Sequence, residues 1–292
     1  MLIAVLIIIM ILCYSLQSLF AKIFAMNYEG ESSTSSLVFA VIFGVFIAFA
    51  TLAVDGFGFH PSVLTIGFAL LNAVMLILYH LSQIGASVRG SYAILTLCML
   101  FGGIIIPMIV SMITLERRLT GLQIIAVIIM LGAFILLNAQ GATLSGTKPG
   151  YWFYCVLLAL SNGCYGAILS VQSGLMEGAE RTEMISLSYF CSAVFSFLTL
   201  AVRRRKKVLS DFKMKPKAVL CVLGCGTVAT IAVNLLLYLL SRINTTVLNT
   251  LDNGGVLVCS TLFAYFLFGE RPTKLQTYGL IVALCSIVML SL

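Results

Sequence analysis

The chain has 292 residues, 61% of them hydrophobic and only 9% charged, at a mean hydropathy of +1.13. A soluble domain is nearer half apolar and a quarter charged, and one soluble core of this size is unusual, so an integral multi-pass protein of the cell membrane is expected. The whole formal charge of +7 resides between Arg203 and Lys217, in a stretch without aromatic interleaving, and this excludes a nucleic-acid role.

A spanning helix needs about 20 mostly apolar residues. That criterion predicts ten segments near 2–25, 37–54, 63–84, 91–114, 121–139, 151–173, 184–202, 218–240, 245–267 and 275–292. The first, MLIAVLIIIMILC, resembles the apolar core of a signal peptide. It lacks the positive flank and small-residue cleavage site, and is read as retained. The connections are short and polar: NYEGESSTSS (27–36), DGFGFHPS (55–62), QGATLSGTKPG (140–150) and GLMEGAERTE (174–183).

The connection 203–217 carries eight Lys/Arg against Asp211 alone. Basic loops stay cytoplasmic; placing this one inside puts 13 Lys/Arg inside and 4 outside, with both termini outside. Contact with anionic headgroups is its expected additional role. The nine cysteines all fall in apolar stretches and read as free, packed thiols; no metal site is expected, Cys221 and Cys225 included. Glycines within the spans (Gly102-Gly103, Gly163, Gly166, Gly224, Gly226, Gly254-Gly255) fit close helix approach, and the paired ones alternatively fit a bend.

Three pairs of stretches recur in the same order. FAVIFGVFIAFATLAV (39–54) aligns on LSYFCSAVFSFLTLAV (187–202), and LYHLSQIGASV (78–88) on LYLLSRINTTV (237–247) with six of eleven positions identical. LERRLTGLQ (115–123) pairs with GERPTKLQ (269–276). The chain therefore reads as a duplication, 1–142 and 148–292. A repeat of five spans enters the membrane the second time from the opposite side, so the expected fold is all-α, ten transmembrane helices as two inverted five-helix repeats. From Tyr79 to Glu116 is 37 residues and from Tyr238 to Glu270 is 32, which places extra helical turns around ASVRGSYAIL.

With these features the chain resembles the EamA-like branch of the drug/metabolite transporter superfamily. TLFAYFLFGERPTKLQTYGLIVALCSIVML (261–290) carries the resemblance most clearly, and ITLERRLTGLQIIAVIIMLGAFILL (113–137) is its weaker first-half copy. The likeness spans essentially the whole chain. It implies transport without enzymatic chemistry or a cofactor, a cavity lined mainly by segments one, three, four, six, eight and nine, and both termini cytoplasmic. That last implication opposes the charge count.

Ionisable groups within spans are functional candidates, because a central Asp costs about 2.5–3.5 kcal/mol on insertion scales. Asp252, opposite Ala93 in the ungapped repeat, shares a helix face with Asn249, and Asn253 lies one turn from Asn249. This set fits a bound amine or a coupling proton; the alternative is a wetted structural Asp near the helix start. His80, opposite Leu239, is a second proton candidate, with a packed histidine beside Tyr79 as its alternative. Tyr14, Gln17, Tyr79, Asn162, Tyr165, Asn234 and Tyr238 are expected to wall the cavity with Asn72, the alternative for each being an interhelical hydrogen bond. Glu116-Arg117 and Glu270-Arg271 are expected to pair at helix ends. GATLSGTK (141–148) lacks the Gly-Lys-Thr order and the preceding strand of a P-loop.

The expectation is a secondary transporter for a small polar or amphipathic metabolite, acting by alternating access and driven by an ion gradient where work is needed. A passive channel or a flippase for a modified lipid are the alternatives. Expected partners are the substrate and the bilayer, with the chain a monomer or homodimer.

Overall fold

A computed structural model describes residues 2–31, 34–87, 89–90, 92–114, 119–138, 147–204, 208–268 and 273–291. Eleven helices are found among them and no strand: α1 (Leu2–Asn27), α2 (Ser35–Val54), α3 (Val63–Ser87), α4 (Tyr92–Thr114), α5 (Gly121–Asn138), α6 (Tyr151–Leu175), α7 (Arg181–Arg204), α8 (Val208–Asp211), α9 (Pro216–Leu240), α10 (Thr245–Phe268) and α11 (Lys274–Ser291). Ten coincide with the ten predicted segments to within a few residues. The eleventh, α8, is a single turn inside the basic connection. Among the described residues α1, α2, α3, α4, α6, α7 and α9 are long and apolar enough to cross a membrane, and α5 and α11 are shorter apolar helices.

Local chemistry sets several ends. Pro216 opens α9, where its missing N–H is no loss, and Arg203 and Arg204 sit in the last turn of α7, where cations favour the helix dipole. The third repeated stretch proves to be a pair of reciprocal caps. Thr120 N donates to Gln123 Oε1 (3.1 Å) and Gln123 N to Thr120 Oγ1 (3.2 Å) at the start of α5. Thr273 and Gln276 repeat both bonds at the start of α11 (3.0 and 3.3 Å).

The helices also correct the register of the repeat. Val63 and Pro216 open α3 and α9, and Gly121 and Lys274 open α5 and α11, each pair 153 residues apart. Burial agrees: Thr65, Ala69, Asn72 and Ala86 are fully buried in α3, as are Ala218, Val222, Cys225 and Leu239 in α9. Matching LYHLSQIGASV to LYLLSRINTTV needs a shift of 159, because it sets Tyr79 on Tyr238. Tyr79 lies 16 residues beyond Val63, where α3 begins, and Tyr238 lies 22 beyond Pro216, where α9 begins. In the helix frame His80 corresponds to Val233 rather than Leu239, and Asp252 to Met99 rather than Ala93. From Val63 to Gly121 and from Pro216 to Lys274 are both 58 residues, so the first half carries no additional residues across ASVRGSYAIL. The offset grows from 148 at the first pair to 153 at α3, so the five additional residues lie in the second half, between α7 and α9.

The halves interlock. The most extensive helix contacts among the described residues are α4 with α6, α1 with α9, α2 with α7, α5 with α11, and α3 with α6 and α7, each crossing from one half to the other. Hydrogen bonds cross with them: Ser186 Oγ to Ala48 O (3.1 Å), Ser286 Oγ to Ala126 O (2.6 Å) and Gln276 Nε2 to Leu137 O (3.3 Å). Such bonds average about 0.6 kcal/mol in membranes, so small side chains and close packing supply most of the cohesion. Outward faces carry exposed apolar side chains, such as Phe153, Val156 and Leu160 on α6 and Phe190, Val194 and Phe197 on α7, as lipid requires.

At one end of the bundle the basic connection meets the 27–36 connection. Arg204 Nε and Nη2 bond Asp211 Oδ2 and Oδ1 (2.9 and 3.0 Å), Arg204 Nη1 pairs with Glu31, and Lys215 Nζ with Glu29 (2.6 Å). Two of the eight basic residues are thus held by carboxylates of this chain.

Candidate functional site

Glycine brings α4 and α6 together. A Cβ on Gly102 would lie 2.1 Å from Ala159 O, and one on Gly163 would lie 2.4 Å from Gly102 O, so neither position admits a side chain without moving backbone. A Cβ on Gly103 would meet Asn162 Nδ2 at 2.7 Å. This close approach lets Asn162 on α6 reach across to α4, where its Nδ2 donates to Met99 O (2.9 Å).

Beside that crossing lies a cavity of about 490 Å³ bounded by helices of both halves. Tyr14, Gln17 and Ser18 enter from α1, Tyr79 and His80 from α3, and Thr96, Met99 and Gly103 from α4. From the second half come Asn162, Tyr165 and Gly166 on α6, Tyr189 on α7, and Asn249, Asp252 and Asn253 on α10. Three of its polar groups have an atom buried without a partner: Gln17 Oε1, Asn249 Nδ2 and Asp252 Oδ1. An orphaned buried polar atom costs about 1–3 kcal/mol; other such atoms occur elsewhere in the bundle, but these three border a cavity large enough for a ligand.

Several of the other polar groups are tied down. Asn253 Nδ2 donates to Asn249 O (2.8 Å), Tyr79 Oη to Met99 Sδ (3.1 Å), and the hydroxyls of Tyr165 and Tyr189 bond each other (3.1 Å). The Tyr79 and His80 rings meet edge to face with centroids 5.4 Å apart.

Nine of the eleven residues expected from the sequence line this cavity: Asp252, Asn249, Asn253, His80, Tyr79, Tyr14, Gln17, Asn162 and Tyr165. Asn234 and Tyr238 stand off it. Asn234 Nδ2 bonds Thr230 O on its own helix (2.8 Å). The Tyr238 ring lies at the end of α9 beneath two guanidiniums, Arg242 at 4.4 Å and Arg181 at 5.3 Å. The slipped register explains this displacement: Tyr238 is not the helical equivalent of Tyr79. Asn72 is also off the cavity, fully buried with Nδ2 3.5 Å from Ser188 Oγ.

Tyr189 was not anticipated. It stands opposite Val41 in the first repeated stretch, a polar aromatic against an aliphatic, and that mismatch was the available signal. Thr96 and Met99 were hidden because the slipped register set Ala93, not Met99, against Asp252.

Other expected groups lie elsewhere. The nine cysteines are free thiols, and no cluster of metal-ligating side chains occurs among the described residues. Glu116-Arg117, Glu270-Arg271 and residues 141–146 of GATLSGTK lie outside the described residues.

A multi-pass helical membrane protein with a polar cavity between interlocked halves is the class that fold and site define. Residues 152–292 match the model of the EamA-like transporter family. Over this second half the chain is similar to that family, which is part of the drug/metabolite transporter superfamily of membrane transporters. A solved structure described only as "Crystal structure of protein" shares the fold at a TM-score of 0.73 and 16% identity, over 98% of this chain and 95% of that one. No curated protein matches the chain.

Proposed function

We propose that the protein is a secondary transporter that moves a small polar or amphipathic metabolite by alternating access. The observation that carries this reading is the cavity between the halves, with Gln17, Asn249 and Asp252 each leaving a buried polar atom unpaired. A substrate that binds and leaves satisfies such groups in turn. In this reading residues 1–142 and 148–292 are five-helix repeats of opposite topology, all ten long helices span the membrane, and their rocking exposes the cavity to each side. The shared 153-residue spacing between the starts of α3 and α9 and of α5 and α11 supports the duplication. The basic connection stays cytoplasmic and both termini lie outside. An impermeant thiol reagent should therefore label Gly58→Cys but not Lys213→Cys on intact cells; the reverse pattern inverts the orientation.

Any uphill transport draws on an ion gradient, with Asp252 and His80 as the proton carriers facing the cavity. Asp252→Asn and His80→Ala, reconstituted in proteoliposomes, test the coupling. One of them should lose the pH dependence of uptake, and retention of that dependence in both would sink the assignment.

A further inference from the structure

We infer that the cavity takes an amphipathic organic monocation, an amine or quaternary ammonium, held one way round with its charged head against α10 and its apolar body against α3 and α4. This rests on the cavity being the substrate site. Its polar groups are overwhelmingly acceptors. Asn162 and Asn253 spend their N–H groups on the backbone carbonyls of Met99 and Asn249, leaving their side-chain carbonyl oxygens free. Gln17 Oε1 and Asp252 Oδ1 lack any donor, while Asn249 Nδ2 is the one orphaned donor among the described lining atoms. The described lining holds no lysine or arginine; His80 is its one basic side chain.

An anion in this place would face a carboxylate and amide oxygens. A cation meets them favourably and also finds the aromatic side chains of Tyr14, Phe43, Tyr79, Tyr165 and Tyr189 around the same cavity, the residue types that stabilise ammonium groups. A volume of about 490 Å³ suits a small organic molecule.

The orientation follows from the corrected register. Residues that correspond in the two halves differ in polarity: Asn249 corresponds to Thr96, Asp252 to Met99, and Asn253 to Leu100. The carboxylate and two amides of the lining thus lie on α10, while Met99 and Leu100 of α4 and Leu76 of α3 give the opposite half its apolar surface beside Tyr79, His80 and Thr96. A ligand with charge at one end and hydrocarbon at the other matches the pair of walls in a single direction.

Equilibrium titration of the purified full-length protein in detergent tests this with three probes of similar size: benzyltrimethylammonium, neutral 2-phenylacetamide and anionic phenylacetate. The cation should bind saturably and at least about tenfold more tightly than either of the others, and Asp252→Asn, which keeps the shape, should weaken it by about tenfold or more. Met99→Phe should weaken benzyltrimethylammonium but not tetramethylammonium, which has no body to place on α4. Equal binding of the three probes, or an unaffected Asp252→Asn protein, overturns the charge class. Equal effects of Met99→Phe on both ammonium ions overturn the orientation. Binding here is read without flux. Failure of the cation beside saturable transport of an uncharged solute would remove the substrate class alone, whereas unsaturable flux would remove the transport reading.

Discussion

Met99 and Asp252 stand at the same step of corresponding helices, seven residues beyond Tyr92 and Thr245, and both face the one cavity. One presents a thioether to it, the other a carboxylate with an unpaired oxygen. In the ligand-free protein Asp252→Asn should therefore unfold at the same or a higher temperature than wild type while losing ligand binding, the trade expected of a strained functional group. Thermal unfolding in detergent, with and without ligand, checks this. A large loss of stability without ligand would make Asp252 a structural residue.

The α4–α6 crossing depends on Gly102 and Gly163. Gly102→Ala would drive a methyl into the Ala159 carbonyl and should cost about 1–3 kcal/mol, the usual range for overpacking. Gly132 and Gly67 have open space where a Cβ would stand, so Gly132→Ala and Gly67→Ala should be neutral or slightly stabilising. Unfolding of the four single variants (Gly163→Ala included) by denaturant in micelles would separate the two groups; equal behaviour would mean the crossing is not close.

The reciprocal caps should behave alike in both halves. Thr120→Ala and Thr273→Ala each remove a cap worth about 0.5–2 kcal/mol. Gln276→Ala should cost more than Gln123→Ala, because Gln276 Nε2 also donates to Leu137 O on α5. Ranking the two glutamine variants by midpoint of unfolding decides the matter.

Glu180, in the connection between α6 and α7, accepts hydrogen bonds at Oε2 from Ser62 N and Ser62 Oγ, both 2.8 Å, at the start of α3. The Thr65 hydroxyl, then the Ser62 amide and hydroxyl, hold its carboxyl below the usual carboxylate range. A carboxyl lowered in the folded state stabilises fully above its unfolded pKa, and loses that contribution as pH falls through the lowered folded value. Glu180→Gln should thus be less stable than wild type at neutral pH, with the difference shrinking below pH about 4. A difference that is flat with pH would contradict this tether.

Helix positions were legible in the sequence because apolar runs and polar connections set them locally. Most of the cavity was legible too, since Asp252, Asn249, Asn253 and His80 are costly in a span and so advertise themselves. The register between halves was not. Among lipid-facing helices Leu, Ile and Ser recur so often that six identities in eleven arose six residues out of step, and this misplaced Tyr238 and hid Met99. Tyr189 was concealed for another reason: a tyrosine in an apolar span looks like packing until its hydroxyl partner, Tyr165, is known. The Thr-Gln caps were visible as a conserved pattern between halves, but their meaning needed the reciprocal bonds.

The central claim is that the cavity binds substrate and presents it to each side in turn. Counterflow in proteoliposomes tests it most directly, with labelled benzyltrimethylammonium outside and unlabelled compound inside. Alternating access gives uptake that saturates with concentration, is accelerated by the internal compound and is lost in Asp252→Asn. Flux that rises linearly without saturation, is indifferent to the internal compound and survives Asp252→Asn would contradict it.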